Sequence, residues 1–496
     1  MDELEKQACS SHGFAMIKLP ANRTQSAISS DMRTLHSSIT KLRERAFAPV
    51  DIASLVFFRI TFGLLMVWEV CRYFANGWIT LEWLEPRFLF KYYGFSWVHP
   101  WPGHWLYIHW AALGIFALFV AAGFLYRLSA ALFFLSYAYF FLLDEARFAN
   151  HIYLICLFSF LMIFVPAHRA LSIDAWLKPG IRLQTAPAWS LWLLRFQIGV
   201  VYFFAGLAKI SPDWLHGEPM RTWMADRSGF PVIGRFFREE WAIYGISYGG
   251  LLFDLFVVPL LLWRRTRVPA FCAALSFHLM NAQWWSIDFF PWLAITATAL
   301  FFWPSWPRRI FVALRLARPF SAPDHWRVPS RRTQTVVLSF VSLYLAIQVL
   351  LPLRHFLWRG GVEWTYAEHC FSWRMLLLNI YARPIFYVTD PNTGRTRAVD
   401  PRQFLSPKQA GKLGYLPDFP VQFAHYLATV MPRKGPKPLQ VEARILISIN
   451  GRKPQLYVDP NVDLAAESRS LGRPRWLRPV REPLPPPGKQ FSGDEL

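Results

Sequence analysis

Leu191-Trp-Leu-Leu-Arg-Phe-Gln-Ile-Gly-Val-Val-Tyr-Phe-Phe-Ala-Gly-Leu-Ala-Lys209-Ile-Ser-Pro-Asp213-Trp214 is the stretch that decides how this chain reads. Residues 191–208 form an apolar run of helix-spanning length, and Lys209 closes it. An ammonium at the mouth of a membrane helix is costly unless it snorkels to water, finds a partner or gives up its proton. Ala205 and Gly206 thin the helix just before it, which leaves room for another backbone or a flat ligand. A lysine that burial keeps neutral is a base near pH 7. Lys209 therefore reads in two ways, as an interfacial residue marking a helix end or as an active-site base.

The rest of the chain favours the membrane. Of 496 residues 54% are hydrophobic and 17% charged, with 24 Trp and 44 Phe gathered into long runs, which indicates a polytopic bundle rather than a large soluble core. Apolar runs occur near 52–70, 104–125, 129–143, 151–166, 189–208, 248–263, 268–285, 289–303 and 334–353. The expected fold is an all-α polytopic membrane bundle of eight or nine transmembrane helices, followed by a small extramembrane α+β domain. The net charge of +21 would suggest nucleic acid in a soluble protein. Here it reports topology and anionic lipid, and no nucleic-acid partner is expected. The five cysteines are scattered without metal-ligand spacing, so neither a metal site nor a disulfide framework follows.

With nine spans and a cytoplasmic N-terminus, the inner segments carry 21 Lys and Arg and the outer ones 9. That bias places Lys209 and everything after residue 354 on the outer or lumenal side. Residues 1–49 read as a cytoplasmic tail without a signal peptide, ending in an amphipathic lead-in helix, and 50–353 as the transmembrane domain. Residues 354–465 read as the α+β domain. Its hairpins turn at Pro391-Asn-Thr-Gly394 and Asn450-Gly451, with a helical stretch over 403–431 between them. The Pro/Arg-rich segment 466–496 reads as a flexible tail.

Three further polar clusters fall at outer helix ends. Asn150 suits an N-cap, with His151 in the first turn of its helix. His278 and Asn281 lie one turn apart in the seventh run, where they could equally be interhelical glue. Trp364-Thr-Tyr-Ala-Glu368-His369-Cys370-Phe371-Ser-Trp373-Arg374 lies just past the last run.

Taken together and in order, Leu142 to Leu154, Tyr202 to Trp214, Phe277 to Gln283, Trp364-Thr365, Phe371-Ser-Trp373 and Ser448-Ile-Asn450 with Asp459-Pro-x-Val-Asp463 resemble the vitamin K-dependent γ-glutamyl carboxylase family, built on the horizontally transferred transmembrane domain. The resemblance runs from about residue 50 to 465. It implies a reaction in which a base deprotonates vitamin K hydroquinone and O2 adds. The resulting strong base removes a γ-hydrogen from a glutamyl side chain, CO2 traps the carbanion, and the quinone leaves as its epoxide. By motif Lys209 corresponds to the catalytic base and His151 to the histidine that stabilises the oxygenated species. Asn150 and His278, with Asn281 beside them, match polar support for the quinone. Glu368, His369, Phe371, Trp373 and Arg374 fall in the region that receives a glutamyl peptide or protein, and no metal is implied.

Glu368-His369-Cys370 departs from the apolar, Tyr/Gly-rich segment of animal members and looks more like bacterial relatives, as does the short stretch after 465. A bacterial inner membrane is therefore expected, or the ER membrane in a eukaryote. An anion beside an incoming carboxylate repels it unless Arg374 or His369 compensates. Two other readings stand beside carboxylation: a quinol epoxidase whose base acts on another substrate, and a non-catalytic polytopic scaffold or carrier.

Overall fold

A computed structural model describes residues 37–285, 287, 289–315, 326–357, 362–366, 369–470 and 474–491. Residues 37–47 are helical, and all nine apolar runs fold as helices. They are α1 (Ala53–Ala75), α2 (His104–Ala122), α3 (Tyr126–Leu143), α4 (Asn150–Phe164), α5 (Ala188–Ala208), α6 (Glu240–Leu262), α7 (Arg267–Trp284), α8 (Phe290–Thr298) and α9 (Arg331–Leu353). Six of these, α1, α2, α3, α5, α6 and α9, are long and apolar enough to cross a membrane, so the chain is a multi-pass bundle. Helices α4 and α8 are shorter and lie against α5, inside the bundle.

Close approach depends on small residues. A Cβ on Gly63 would meet Ala121 of α2 at 2.7 Å, so α1 and α2 touch almost backbone to backbone there. Apolar faces then interlock through aromatic pairs such as Phe58–Phe158 and Phe62–Phe133.

The two ends of the bundle are distinct. At one end strand β1 (Pro49–Asp51) pairs antiparallel with β2 (Thr185–Pro187), and Asp51 accepts Arg308 at 3.1 Å. There the buried Arg59 guanidinium also donates to the carbonyls of Ala167 and Ala170. At the other end the connections after α1, α3 and α5 meet the C-terminal domain. Lys91 N–H donates to Gln422 at 2.8 Å, Gln409 donates to Asp144 at 3.0 Å, and Asp213 takes both Asn450 and Arg452 at 2.7 Å.

That domain is a four-stranded antiparallel sheet ordered β4-β3-β5-β6, with β3 (Ile380–Asp390), β4 (Arg395–Val399), β5 (Gln440–Ile449) and β6 (Gln455–Leu456). Val441, Ala443, Ile445, Ile447 and Ile449 alternate onto one face of β5. Helices α10 (Pro407–Leu413) and α11 (Asp418–Val430) pack in the same core, where expected helix over 403–431 is interrupted before Asp418. Both hairpin turns form as expected, with Asn450 and Gly451 in left-handed conformation at φ 53° and 74°. Phe90, from the connection after α1, stacks on Phe419 at 3.9 Å and pins the domain to the bundle.

The tail differs from its expectation. Trp476 and Leu477 are buried in the domain core, Leu477 bridges to Val458, and Gln490 donates to Glu218 at 3.0 Å. These two large apolar side chains and hydrogen bonds such as Trp364 Nε1 to the Arg478 carbonyl and Phe491 N–H to the Gly451 carbonyl hold residues 474–491 against the fold.

Candidate active site

A cavity of about 620 Å³ opens between the domain-side ends of α4, α5, α6 and α7 and the loop that leads into β3. Asn150, His151, Lys209, His278, Asn281, His369 and Arg374 all line it. Seven residues picked from four distant segments of sequence therefore meet around one space.

Lys209 ends α5. Its Nζ donates to Asp254 Oδ2 of α6 at 2.7 Å and to the Ala205 carbonyl at 3.3 Å, and it lies 5.2 Å from the centre of the Trp214 ring. Both members of the ion pair are buried. Of the three ways to keep an ammonium at a helix mouth, the fold uses a partner. Gly206 explains how: a Cβ there would meet the Leu255 side chain at 2.8 Å and its backbone nitrogen at 3.0 Å. The backbone that approaches Gly206 is that of α6, and this contact sets Asp254 beside Lys209.

Asp254 is not among the residues the sequence motifs single out, although a carboxylate inside the apolar run 248–263 is itself a signal of function. Also unanticipated is the glycine face of α6. Gly245, Gly249 and Gly250 line the cavity, and a Cβ on Gly245 or Gly249 would meet nothing within 4 Å. This wall is flat, and it leads one turn further to Asp254.

On α7, His278 Nε2 lies 2.6 Å from the Tyr202 hydroxyl, which is 3.0 Å from Thr298 of α8. His278 Nδ1 is buried without a hydrogen-bond partner. With the Tyr202 hydrogen on Nε2, the ring hydrogen sits on Nδ1, at the cavity wall. Asn281 is buried one turn further along the same helix.

Asn150 does not cap α4. The N-cap is Ala149, and Asn150, as the first helical residue, donates from Nδ2 to the Arg374 carbonyl at 3.2 Å. Its buried Oδ1 has no partner, so the residue is tied to the site rather than to the helix end. His151 packs edge-on to Phe289 at 5.6 Å.

The loop that leads into β3 is wound tightly. Tyr366, Phe371, Trp373 and Leu376 all have left-handed backbone, which non-glycine residues adopt only where the surroundings enforce it. Phe371 and Trp373 do not line the cavity. They bracket Tyr153 of α4, at 4.9 Å edge-on and 5.0 Å stacked, and so anchor the chain on either side of Ser372. His369 stacks on Tyr366 at 3.9 Å, and burial, then Arg374 and Lys412, hold it neutral, well below its ordinary pKa. Arg374, buried, reaches Glu363 at 3.3 Å. Of the two compensating cations expected from the sequence, only Arg374 carries charge. Glu368 lies outside the described residues.

The fold and this pocket define a multi-pass membrane protein with a polar, aromatic-walled chamber at the base of an extramembrane domain. Two family models match it: the HTTM domain over residues 47–306, just over half of the chain, and the vitamin K-dependent gamma-carboxylase lumenal domain over residues 333–483. The chain belongs to the vitamin K-dependent γ-carboxylase family. No solved structure matches it.

Proposed function

We propose that the protein is an integral membrane enzyme that couples conversion of vitamin K hydroquinone, of phylloquinone or menaquinone type, into its epoxide with carboxylation of glutamyl residues. It would consume O2 and CO2, with a glutamyl peptide or protein as partner substrate. The observation that carries this reading is the buried Lys209–Asp254 pair opening onto a cavity that also exposes Arg374.

The lining suits a flat bicyclic quinol. The glycine face of α6 offers an unobstructed wall, Trp214, Trp284 and Phe290 supply apolar surface, and His278 Nδ1 and Asn150 Oδ1 are buried groups still wanting hydrogen bonds. When bound, the quinol supplies through its oxygenation the strong base that no protein side chain can be. The residues do the rest. Transfer of one proton across the 2.7 Å contact makes Lys209 a neutral amine and Asp254 a neutral acid, with no change in net charge. The amine can then take a hydroxyl proton. His278, His151 and Asn150 would hold the oxygens, and the aromatic wall would keep water from the reacting centre. Arg374 would receive the glutamyl carboxylate.

The basic excess on the β1 end favours a cytoplasmic placement of that end, with the C-terminal domain on the periplasmic or lumenal face, in a bacterial inner membrane or in the ER. One observation favours the second reading, epoxidation with a different final substrate: Glu363 already occupies Arg374.

The test supplies solubilised protein with vitamin K hydroquinone, O2, labelled CO2 and a short glutamyl peptide. Epoxide and fixed label together support carboxylation, epoxide alone supports the second reading, and neither product rejects both. Lys209→Ala is expected to abolish epoxide formation, with partial restoration by a small amine.

A further inference from the structure

The β1 end of the bundle holds a second and larger cavity, of about 1310 Å³. Its lining falls into two chemical classes. Arg127, Arg169, Arg182 and Arg327 contribute guanidinium groups, while Phe164, Trp189, Val336 and Phe340 form an apolar side. None of the described lining residues is acidic. The apolar side lies between α4, α5 and α9, and α9 leaves Val336, Leu343, Ile347 and Leu350 exposed on the bundle surface. The arginines belong to the connections at the helix ends and to the start of α3.

Among the described residues, two nearby carboxylates, Asp174 and Glu44, lie outside the lining. Asp174 accepts the backbone N–H groups of Leu125 and Tyr126, one on each oxygen. Glu44 lines the adjoining smaller cavity, together with Arg43 and Arg331. Arg127 donates to the Ile163 carbonyl at 3.0 Å, which leaves most of its five N–H groups to other acceptors. At the centre His168 stacks on Tyr126, and its Nδ1 is buried without a partner. Burial, then Arg127 and Arg169, push its pKa down to about 4, so at neutral pH the ring is an uncharged group able to share an anion's hydrogen bonds.

We infer that this cavity binds an anionic glycerophospholipid, with its phosphodiester held by Arg127, Arg169, Arg182 and Arg327 and an acyl chain laid along Phe164, Val336 and Phe340. Guanidinium forks match phosphate oxygens, and basic pockets between helices at a membrane face hold acidic headgroups. The apolar side distinguishes this occupant from a soluble anion, which would gain nothing from it. A zwitterionic lipid would bring its own cation into a site already rich in positive charge. The bound lipid would fill the cleft between α9 and the rest of the bundle, and α9 leads directly into the C-terminal domain.

The experiment uses the full chain, purified in a neutral detergent and put into bilayer discs of phosphatidylcholine with or without phosphatidylglycerol. Lipids retained after delipidation are counted by native mass spectrometry, and thermal unfolding is followed alongside. Retained phosphatidylglycerol and a raised Tm are expected, with retention falling about tenfold or more in R127Q/R169Q/R182Q. A control of equal charge loss at exposed positions on the same end, R265Q/R309Q/R315Q, should retain the lipid. Gly180→Trp guards against misfolding: Gly180 lines the cavity, and a Cβ there meets nothing within 4 Å, so this variant should fold and still exclude the lipid. Equal retention by all variants, or equal loss in the control, would overturn the inference. So would inorganic phosphate alone reproducing the full Tm rise.

Discussion

Lys209 Nζ and Asp254 Oδ2 stand 2.7 Å apart, both buried, one closing α5 and the other in the middle of α6. The pair is neutral overall. Removing one member strands a charge in a low-dielectric setting, whereas exchanging a proton between them strands none. In the proposed reaction this makes Asp254 a positioning residue, since it acts on the substrate only through Lys209.

Asp254→Asn keeps the shape of the side chain and removes its charge. Epoxide formation is expected to fall by roughly 10²-fold or more, within the range of a lost acid–base partner. Asp254→Glu should recover part of that loss, with a shifted pH–rate profile. A pH profile of Asp254→Asn identical to that of the parent protein would mean that Asp254 only fills space.

Gly249 tests whether the flat wall of α6 holds the quinol. Its Cβ position is open, so Gly249→Leu projects into the cavity without meeting backbone. The KM for hydroquinone should rise about tenfold or more while Tm stays within a few degrees, because the new side chain displaces ligand rather than protein. A variant that binds hydroquinone normally would move the quinol to another wall.

These two residues also show where the sequence was legible and where it was not. Lys209, His151 and His278 stand out because a polar group in a long apolar run is conspicuous, and the nine helices follow from those runs. Asp254 was just as conspicuous by composition. What the sequence hid was its relation to Lys209, which depends on the close approach of α6 at Gly206 and so on three-dimensional packing. Phe371 and Trp373 read as substrate-region residues through the family resemblance of Phe371-Ser-Trp373. The left-handed turns that swing their rings onto Tyr153 have no signature in residues other than glycine. The packing of residues 474–491 does not show in composition, which averages over 31 residues, whereas the hold comes from particular groups: Trp476 and Leu477 in the core and Gln490 on Glu218.

Glu363 bears on substrate choice. It accepts from Arg374 at 3.3 Å and is the more exposed partner, at 33% against 8% for the side chains. In the proposed reaction an incoming glutamyl carboxylate therefore exchanges with it. Glu363→Gln should lower the KM for a glutamyl peptide several-fold, because a charge-assisted bond gives way to a weaker one. Arg374→Gln should raise that KM, and neither change should much alter epoxide formed without peptide. Equal effects on peptide and hydroquinone kinetics would separate Arg374 from substrate binding.

Domain docking should carry a pH signature through Glu145, in the connection between α3 and α4. Burial, and then the charge of Asp418, push its pKa up to about 8, against the opposing pull of Arg469 and Lys412. The carboxyl is therefore protonated in the folded protein at neutral pH, while an unfolded glutamate titrates at about 4.3. A raised folded pKa contributes stability that is fully present below the unfolded value, declines as pH rises between the two, and is gone above about 8. Glu145→Gln fixes the neutral form and should remove that part of the decline. Thermal unfolding of both proteins across this window tests the point: the variant should gain on the parent as pH rises, with the difference levelling off above the upper value. A constant difference at every pH would show that Glu145 does not titrate on folding, and the contact between this connection and the C-terminal domain would then rest on hydrogen bonds such as Gln409 to Asp144 and Lys412 to the Phe148 carbonyl.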